Sequence, residues 1–466
     1  MDFDLVVHGG EVVAGGEVVR ADVGVSGGRI AAIAERLSGG ARRVDASGRL
    51  VLPGGVETHC HVAQESSTGL MTADDYDTAS ASALVGGNTC IVPFAAQQRG
   101  ETLAQVMETY MGRGAKSRLD WSFHLILSDP TEAVLAELPG VVARGITSFK
   151  VFLTYDRMKL DDAQFLAVLG AARAHGALAM VHAENDAMVK AAVARLLAEG
   201  KTAPKWHAPS RPAAAEAEAI SRAIRLAEFA GAGLFIVHVS TPEGAALVAR
   251  AGAEGRPVFG ETCPQYLFLT AEDLDRPGME GAKYVCAPPL RDRETQAVLW
   301  DHVRRGTFVC VSSDHAPYRF DETGKFANGR DAPFPKIANG MPGIGARLPL
   351  MFSEGVVGGR ITLPQFAALT AGNACRVFGL ERKGAVAVGK DADLAVWDPE
   401  ETWTLTAESQ RDAMDYSPFE GRRITGRPVT VIAGGRVALE GGEVLARPGD
   451  GRFVSRARFA GGGACG

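Results

Sequence analysis

Apolar and polar residues alternate with a period of two near both ends of the chain. At the start, short alternating runs are separated by glycine pairs, a pattern that predicts a small antiparallel sheet. These runs span residues 4–8, 11–13, 17–19, 22–25 and 29–33. Similar runs near the other end span residues 392–397, 429–433 and 436–439. We therefore expect residues 1–52 and 380–440 to form one satellite domain.

A different pattern occupies residues 53–379, where uninterrupted apolar runs alternate with alanine-rich helical stretches. Repeated βα units of this kind are typical of a parallel sheet. Together with the run that leads into Val56, the runs give about eight strands, the number that a (β/α)₈ barrel requires. They span residues 89–94, 122–127, 147–153, 178–182, 234–239, 258–262 and 308–313. An open doubly wound sheet has the same periodicity, but His, Lys and Asp at the run ends favour a barrel, whose enzymes carry their chemistry there.

Residues 441–466 form a tail rich in glycine and arginine, without strand or helix periodicity at its end. A subunit-contact arm and a disordered terminus are both compatible with this composition. The predicted architecture is thus an α/β (β/α)₈ TIM barrel over residues 53–379, a smaller domain built from both chain ends, and this tail.

Composition and charge argue against several classes of protein. Hydrophobic residues make up 46% and charged residues 22% of the chain, and no apolar stretch approaches the roughly 18 residues of a membrane span. The formal net charge of -6 argues against a nucleic-acid partner. Residues 1–4 carry acid where a secretory signal needs positive charge, which predicts a cytoplasmic protein. Seven scattered cysteines without a C-x-x-C pair support neither a disulfide framework nor a thiolate zinc site.

The first candidate metal ligands are His59 and His61, which follow the apolar run into Val56. Residues i and i+2 of a strand share a face, so both imidazoles can point into the barrel mouth and meet one metal ion. Cys60 lies between them and is expected to face the opposite side. One H-x-H pair is weak evidence, because pairs at this spacing also occur by chance.

Three further apolar runs end in residues that can bind a metal, namely His182, His238 and Asp314. A lone histidine at a strand end is more often a buried structural residue than a ligand. The carboxyl ends of parallel strands meet at one edge of the sheet, however. Chance alone does not readily place metal-compatible residues at four such ends. The set predicts a metal site at the barrel mouth.

Lys150 stands inside residues 148–152, a run that is otherwise suited to complete burial. A lone buried ammonium group is costly. The side chain could extend to the surface or pair with an acid. Alternatively, carboxylation of Nζ would turn the lysine into an anion with two oxygens, which fits a site with two metal ions.

With these residues, the chain resembles the cyclic amidohydrolases of the dihydropyrimidinase and hydantoinase group. The resemblance runs from the first β segments to Gly451 and includes residues 148–155, 182–185, 261–267, 288–291, 383–399 and 415–421. It implies a barrel with a β-sandwich satellite domain. It also implies two divalent metal ions, usually zinc, bridged by N-carboxylated Lys150, and commonly a homotetramer.

The resemblance also implies a role for each candidate ligand. His59, His61 and Asp314 would bind the more buried metal, His182 and His238 the more exposed one, and Lys150 both. The reaction would be the opening of a cyclic amide (a dihydropyrimidine, a hydantoin or a related imide or ureide) by a metal-bridging hydroxide.

Motifs that match the family imply roles for further residues of this chain. Tyr155 would stabilise the oxyanion, and Asp314 would move the proton from the nucleophile to the leaving nitrogen. The substrate amide would be held largely by the backbone of residues 285–288 and by Asn339. Ala287 stands where many relatives have serine, a change that matters little for a backbone contact.

Single positions distinguish the alternative functions. Dihydroorotases carry arginine two residues after the second histidine, where this chain has Ala63. Residues 313–317 also suit an allantoinase, which is the second candidate. A non-catalytic interaction protein of the same fold is disfavoured because all six ligands are present, and a single-metal barrel would differ in metal stoichiometry. The polar segment 64–68 predicts a preference for small or polar rings over aryl hydantoins.

Overall fold

The computed structural model describes residues 2–66 and 68–461. Two parallel sheets lie in the middle of the chain, and a third sheet joins its two ends. The parallel strands are β6 (Gly55–Glu57), β7 (Asn88–Ile91), β8 (Phe94–Ala96), β9 (Asp120–Trp121), β10 (His124–Ile126), β11 (Ser148–Phe152), β12 (Leu178–His182), β13 (Leu234–Ile236), β14 (Val258–Thr262) and β15 (Cys310–Val311). The remaining strands are β1 (Leu5–Ala14), β2 (Glu17–Ser26), β3 (Arg29–Ala34), β4 (Arg42–Asp45), β5 (Leu50–Pro53), β16 (Leu394–Thr404), β17 (Arg423–Ala433), β18 (Arg436–Glu440) and β19 (Glu443–Val444).

The parallel strands fall into a seven-stranded sheet with the order β15-β14-β13-β12-β11-β10-β8 and a three-stranded sheet with the order β6-β7-β9. The predicted run 89–94 is split into β7 and β8 at Pro93, which has no N–H to donate to a ladder. The Pro93 carbonyl still accepts a hydrogen bond from the His124 N–H at 2.9 Å, and the Phe94 N–H donates to the Cys60 carbonyl at 3.0 Å. Every predicted run of the middle region therefore contains a parallel strand.

Helices follow the parallel strands and bury one face each. In α4, for example, Phe165, Val168, Leu169 and Ala172 are buried at helical spacing. The α-helices are α1 (Tyr76–Val85), α2 (Leu103–Gly114), α3 (Glu132–Ala143), α4 (Asp162–His175), α5 (Asp186–Ala198), α6 (His207–Ser210), α7 (Ala213–Ala230), α8 (Pro242–Ala253), α9 (Pro264–Phe268), α10 (Arg293–Arg304), α11 (Arg347–Leu350), α12 (Leu363–Ala367), α13 (Asn373–Val377) and α14 (Ala407–Gln410). Among the described residues, no helix is both long and apolar enough to span a bilayer.

The third sheet unites the two chain ends, because β5 from the first end pairs antiparallel with β16 from the second. Its order is β19-β18-β17-β16-β5-β1-β2-β3, with β4 paired to β1. Two boundaries differ from the sequence-based expectation: residues 4–13 and 17–25 each form one long strand instead of two short ones. Gly9 and Gly10 lie at a bulge in the β1–β2 pairing, so they shift the register without reversing the chain.

The described part of the tail packs against its own chain. The Trp121 N–H donates to the Arg452 carbonyl at 2.9 Å, and the Val454 N–H donates to the Trp121 carbonyl at 2.7 Å. The Arg456 side chain is buried and donates to the Ser148 hydroxyl at 2.8 Å. The tail thus forms hydrogen bonds with the rest of the chain that its sequence, which lacks strand or helix periodicity, did not predict. Residues 462–466 lie outside the described part.

Candidate metal centre

Six predicted ligands converge at one edge of the parallel strands. His59 and His61 follow β6, Lys150 lies in β11, His182 ends β12, and His238 and Asp314 follow β13 and β15. The carboxyl ends of parallel strands share an edge, so ligands far apart in sequence meet there. All six line one cavity of about 620 Å³, together with Tyr155, Arg211, Ala287 and Asn339.

The first group of ligands is His59, His61 and Asp314. An Asp314 carboxylate oxygen lies 3.0 Å from His59 Nε2 and 3.4 Å from His61 Nε2. Each residue offers one ligand atom, and these atoms all lie within 4.8 Å of one another. Cys60 is buried in the apolar core and does not join them, as strand alternation predicted.

The second group is His182 and His238, whose ring centroids are 4.5 Å apart. The His238 ring also lies 5.3 Å from that of His59, so the two groups adjoin. Between them, Lys150 Nζ lies 4.8 Å from the ring centre of Phe94 and 5.1 Å from that of Phe152. The lysine is 1% exposed and therefore does not extend to the surface.

Three observations fit a metal centre at this site. Lys150 Nζ and His238 Nδ1 are buried and have no hydrogen-bond partner among the described residues. Buried polar groups are rarely left without a partner unless an ion or a functional group completes them. Burial lowers the pKa of Lys150 to about 7, against the opposing effect of Asp314 and Glu261, so the amine can be neutral and reactive near pH 7. The donor set of imidazoles, a carboxylate and an amine suits divalent transition metals.

Acceptors behind the histidines hold the rings in place. Glu261 contacts His59 Nδ1, and Gln64 Oε1 lies 2.8 Å from His61 Nδ1. Glu184 Oε2 lies 2.7 Å from His182 Nε2. Such partners orient metal-binding imidazoles and raise their basicity. Sequence reasoning placed Gln64 only in the polar segment 64–68 and gave Glu184 and Glu261 no role, although both glutamates lie within the quoted motifs.

Charge is balanced inside this buried region. Burial raises the pKa of Glu184, but the Arg211 guanidinium and the hydrogen bond with His182 together outweigh burial and lower that pKa to about 2. Burial lowers the pKa of His59, but the carboxylates of Glu261 and Asp314 outweigh burial and raise it to about 9. Burial also opposes ionisation of Asp314, yet His59 holds the pKa of that carboxyl well below its usual range. Asp314 is therefore ionised at neutral pH.

Three residues of the site adopt left-handed backbone angles that side chains other than glycine rarely adopt. The φ angles are 73° for Tyr155, 40° for His238 and 49° for Asp314. Strain of this kind costs about 1–3 kcal/mol per residue and persists where the surrounding structure enforces it. The side chains are thus aimed by backbone geometry that strand periodicity cannot predict.

The rim of the cavity is mixed in polarity. Gln64, Ser66 and Thr68 supply the expected polar side, while Ser67 lies outside the described residues. Apolar side chains also line the cavity; they are Leu70, Phe152, Met158 and Ile337. The polar segment predicted from the sequence therefore accounts for only part of the rim.

A second cluster of possible ligands lies nearby and is satisfied within the protein. His315 Nε2 lies 3.0 Å from an Asp74 carboxylate oxygen, and His315 Nδ1 accepts the Gly343 N–H at 3.1 Å. Asp412 completes the group. Both ring nitrogens of His315 are occupied, so this cluster has no free imidazole nitrogen for a metal.

Known proteins resemble this chain along most of its length. The Amidohydrolase family model matches residues 50–438. D-hydantoinase of Ralstonia pickettii is 42% identical over 460 residues, which cover 98% of this chain and 100% of the relative. D-phenylhydantoinase of Escherichia coli (strain K12 / DH10B) is 38% identical over 421 residues, covering 89% of this chain and 90% of the relative. The crystal structure of dihydropyrimidinase from Brevibacillus agri has a TM-score of 0.95 and 39% identity, covering 98% of this chain and 99% of that one. This chain belongs to the amidohydrolase family.

Proposed function

We propose that this protein is a two-metal hydrolase that opens a cyclic amide ring of the dihydropyrimidine or hydantoin type. The observation that carries the proposal is the convergence of six candidate ligands on one cavity, among them Lys150, whose buried nitrogen has no hydrogen-bond partner among the described residues. The relatives named for hydantoin and dihydropyrimidine hydrolysis support the substrate class. The relatives named above point neither to allantoin as a substrate nor to a non-catalytic role.

The proposed ligand assignment follows the two groups of side chains. His59, His61 and Asp314 would hold one divalent ion, His182 and His238 the other, and carboxylated Lys150 both; zinc is the proposed metal. Carboxylation joins the neutral amine to carbon dioxide through a new N–C bond and releases one proton. The lowered pKa of Lys150 favours this step because it makes the neutral amine available.

Two divalent ions bound here would lower the pKa of a bound water and polarise the ring carbonyl. Asp314 is ionised and can accept a proton from the attacking water and return it to the leaving ring nitrogen. Burial raises the pKa of Tyr155, so its hydroxyl keeps its proton and can donate a hydrogen bond to the developing oxyanion. The backbone groups of Ala287 and Asn339 would hold the ring amide. The product is a ring-opened acid, such as an N-carbamoyl amino acid.

Several structural expectations belong with this proposal. We propose that the two parallel sheets close into a (β/α)₈ barrel over residues 53–379, which the hydrogen bond from the His61 N–H to the His315 carbonyl, 2.7 Å long, supports. Residues 1–52 and 380–440 would form the β-sandwich satellite around their own apolar cluster. A homotetramer in the cytoplasm completes the proposal.

The decisive experiment measures metal per chain on protein expressed with zinc, and ring opening of dihydrouracil and hydantoin on the same sample. Two ions per chain with turnover is the expected result, and inactive protein without metal despite the zinc supply contradicts the proposal. Lys150→Ala is expected to lose metal and activity together, because the bridge is absent. Short carboxylic acids such as propionate should partly restore both, and full activity of Lys150→Ala without them would refute the bridging role.

A further inference from the structure

Lys325 is a buried lysine outside the candidate metal centre. Its side chain is 1% exposed. It forms no ion pair with any described carboxylate, unlike Lys283 and Lys383. Its ammonium group donates three hydrogen bonds, to the carbonyls of Val285 at 3.0 Å, Ala338 at 2.8 Å and Gly340 at 2.6 Å. An ammonium has three donors, so all of them are used. Burial of an ammonium group is costly when its only partners are neutral carbonyls. This cost indicates that Lys325 has a specific role at this position.

The three acceptors lie in the two segments that border the cavity. Ala287 lines the cavity from the first segment, residues 285–288, and Asn339 lines it from the second, residues 338–340. The Gly340 N–H also donates to the Val285 carbonyl at 2.9 Å. Lys325 therefore fixes the distance between two chain segments that are more than 50 residues apart in the sequence.

His207 and Tyr266 occupy further carbonyls of the first segment. His207 Nε2 donates to the Cys286 carbonyl at 2.7 Å, and the Tyr266 hydroxyl donates to the Pro288 carbonyl at 2.9 Å. Within residues 285–288, Ala287 alone has a carbonyl without a partner in the described part of the chain.

The second segment has the same arrangement. Lys325 occupies the carbonyls of Ala338 and Gly340, whereas the main-chain carbonyl and N–H of Asn339 have no partner among the described residues. The main-chain N–H of Ala287 is likewise unoccupied there. A cyclic amide presents an N–H donor and a C=O acceptor, which such main-chain groups complement.

We infer that Lys325, aided by His207, is a positioning residue that occupies the neighbouring carbonyls and holds the free main-chain groups of Ala287 and Asn339 at the spacing that a ring amide requires. This inference rests on the proposed function and deepens it. Lys325 lies outside the lining of the cavity, so it acts through the backbone of the two segments. Binding groups must be held within fractions of an ångström for their hydrogen bonds to be effective.

The test compares Lys325→Met with Arg456→Met in the metal-loaded protein. Arg456 is a matched control, because it is also a buried basic side chain held by hydroxyl and carbonyl acceptors, at Ser122, Phe123 and Ser148. Lys325→Met is expected to raise the KM for dihydrouracil at least about tenfold, the equivalent of one or two hydrogen bonds, while kcat and metal content stay within about threefold. Arg456→Met is expected to lower stability without changing KM.

A second pair of variants covers the case in which Lys325→Met does not fold. His207→Phe removes the bond to the Cys286 carbonyl and should raise KM, whereas His207→Gln keeps a donor and should restore it. A KM within twofold of wild type in Lys325→Met, or in His207→Phe where Lys325→Met does not fold, would overturn the inference.

Ring binding is measured separately, by saturation-transfer NMR of dihydrouracil with chelator-treated protein. The signal is expected for the wild type and should be lost in Lys325→Met, and an equal signal in both overturns the inference without any need for turnover. A wild-type protein that opens neither dihydrouracil nor hydantoin instead refutes the proposed reaction, so the two failures are distinguishable.

Discussion

Replacing Arg347 with methionine would remove the positive charge that faces Glu57 beneath the metal centre. Both side chains are fully buried, and Arg347 Nε lies 2.9 Å from a Glu57 carboxylate oxygen. Glu57 in turn accepts the His59 N–H at 2.8 Å and the Ser313 N–H at 3.1 Å. The ion pair therefore ties together the two chain segments that carry His59 and Asp314.

The expected loss follows from this burial. Removing one partner of a buried ion pair leaves an uncompensated charge and destabilises a protein by about 3–5 kcal/mol. Arg347 also donates to the Val311 carbonyl at 3.0 Å, a bond that methionine cannot replace. Because the segments of His59 and Asp314 would separate, we also expect metal affinity to fall about 10- to 100-fold, as for other residues that support ligands.

The assay is urea unfolding of Arg347→Met, Glu57→Gln and the double variant, with metal content measured on each. A chain of this size does not unfold in one step, so transition midpoints are compared under identical conditions. The double variant buries no lone charge and should be more stable than Arg347→Met. The reasoning fails if Arg347→Met has the wild-type transition midpoint and normal metal content, or if the midpoint shifts of the two single changes simply add.

Three further predictions concern the tail, acid stability and substrate choice. Removing residues 451–466 takes away Arg456 and the backbone bonds of the tail, and should lower the melting temperature by several degrees in circular dichroism; an unchanged value would contradict the packing role. Arg211 and His182 together outweigh burial and lower the pKa of Glu184 from 4.5 to about 2, so these contacts stabilise the fold above about pH 4.5 by about 3 kcal/mol, and this stability is lost as pH falls towards 2. In Glu184→Gln, the free energy of unfolding should therefore fall less steeply between pH 4.5 and pH 2, as measured by unfolding at a series of pH values. The polar segment 64–68 predicts faster turnover of dihydrouracil than of phenylhydantoin, and equal or better turnover of phenylhydantoin would refute this preference.

Local sequence patterns predicted the strands of the middle region and the identity of the candidate ligands. Uninterrupted apolar runs between helical stretches predicted the parallel strands, and strand alternation, which depends on neighbours two residues apart, predicted the shared face of His59 and His61. Lys150 could be singled out because a charged residue inside an apolar run conflicts with burial. Pro93 also indicates the break between β7 and β8, because proline has no N–H to donate to a sheet hydrogen bond.

The supporting contacts depended on the tertiary structure. Glu57 and Arg347 are 290 residues apart, and Lys325 reaches carbonyls that lie up to 40 residues away. No periodicity links such positions, because their contact exists only after the strands have assembled. The left-handed backbone at Tyr155, His238 and Asp314 is likewise imposed by the surrounding packing. The sequence by itself determined which side chains could bind metal and on which strand ends they lie, while the folded chain alone decided which buried charges pair and which main-chain groups stay free for a substrate.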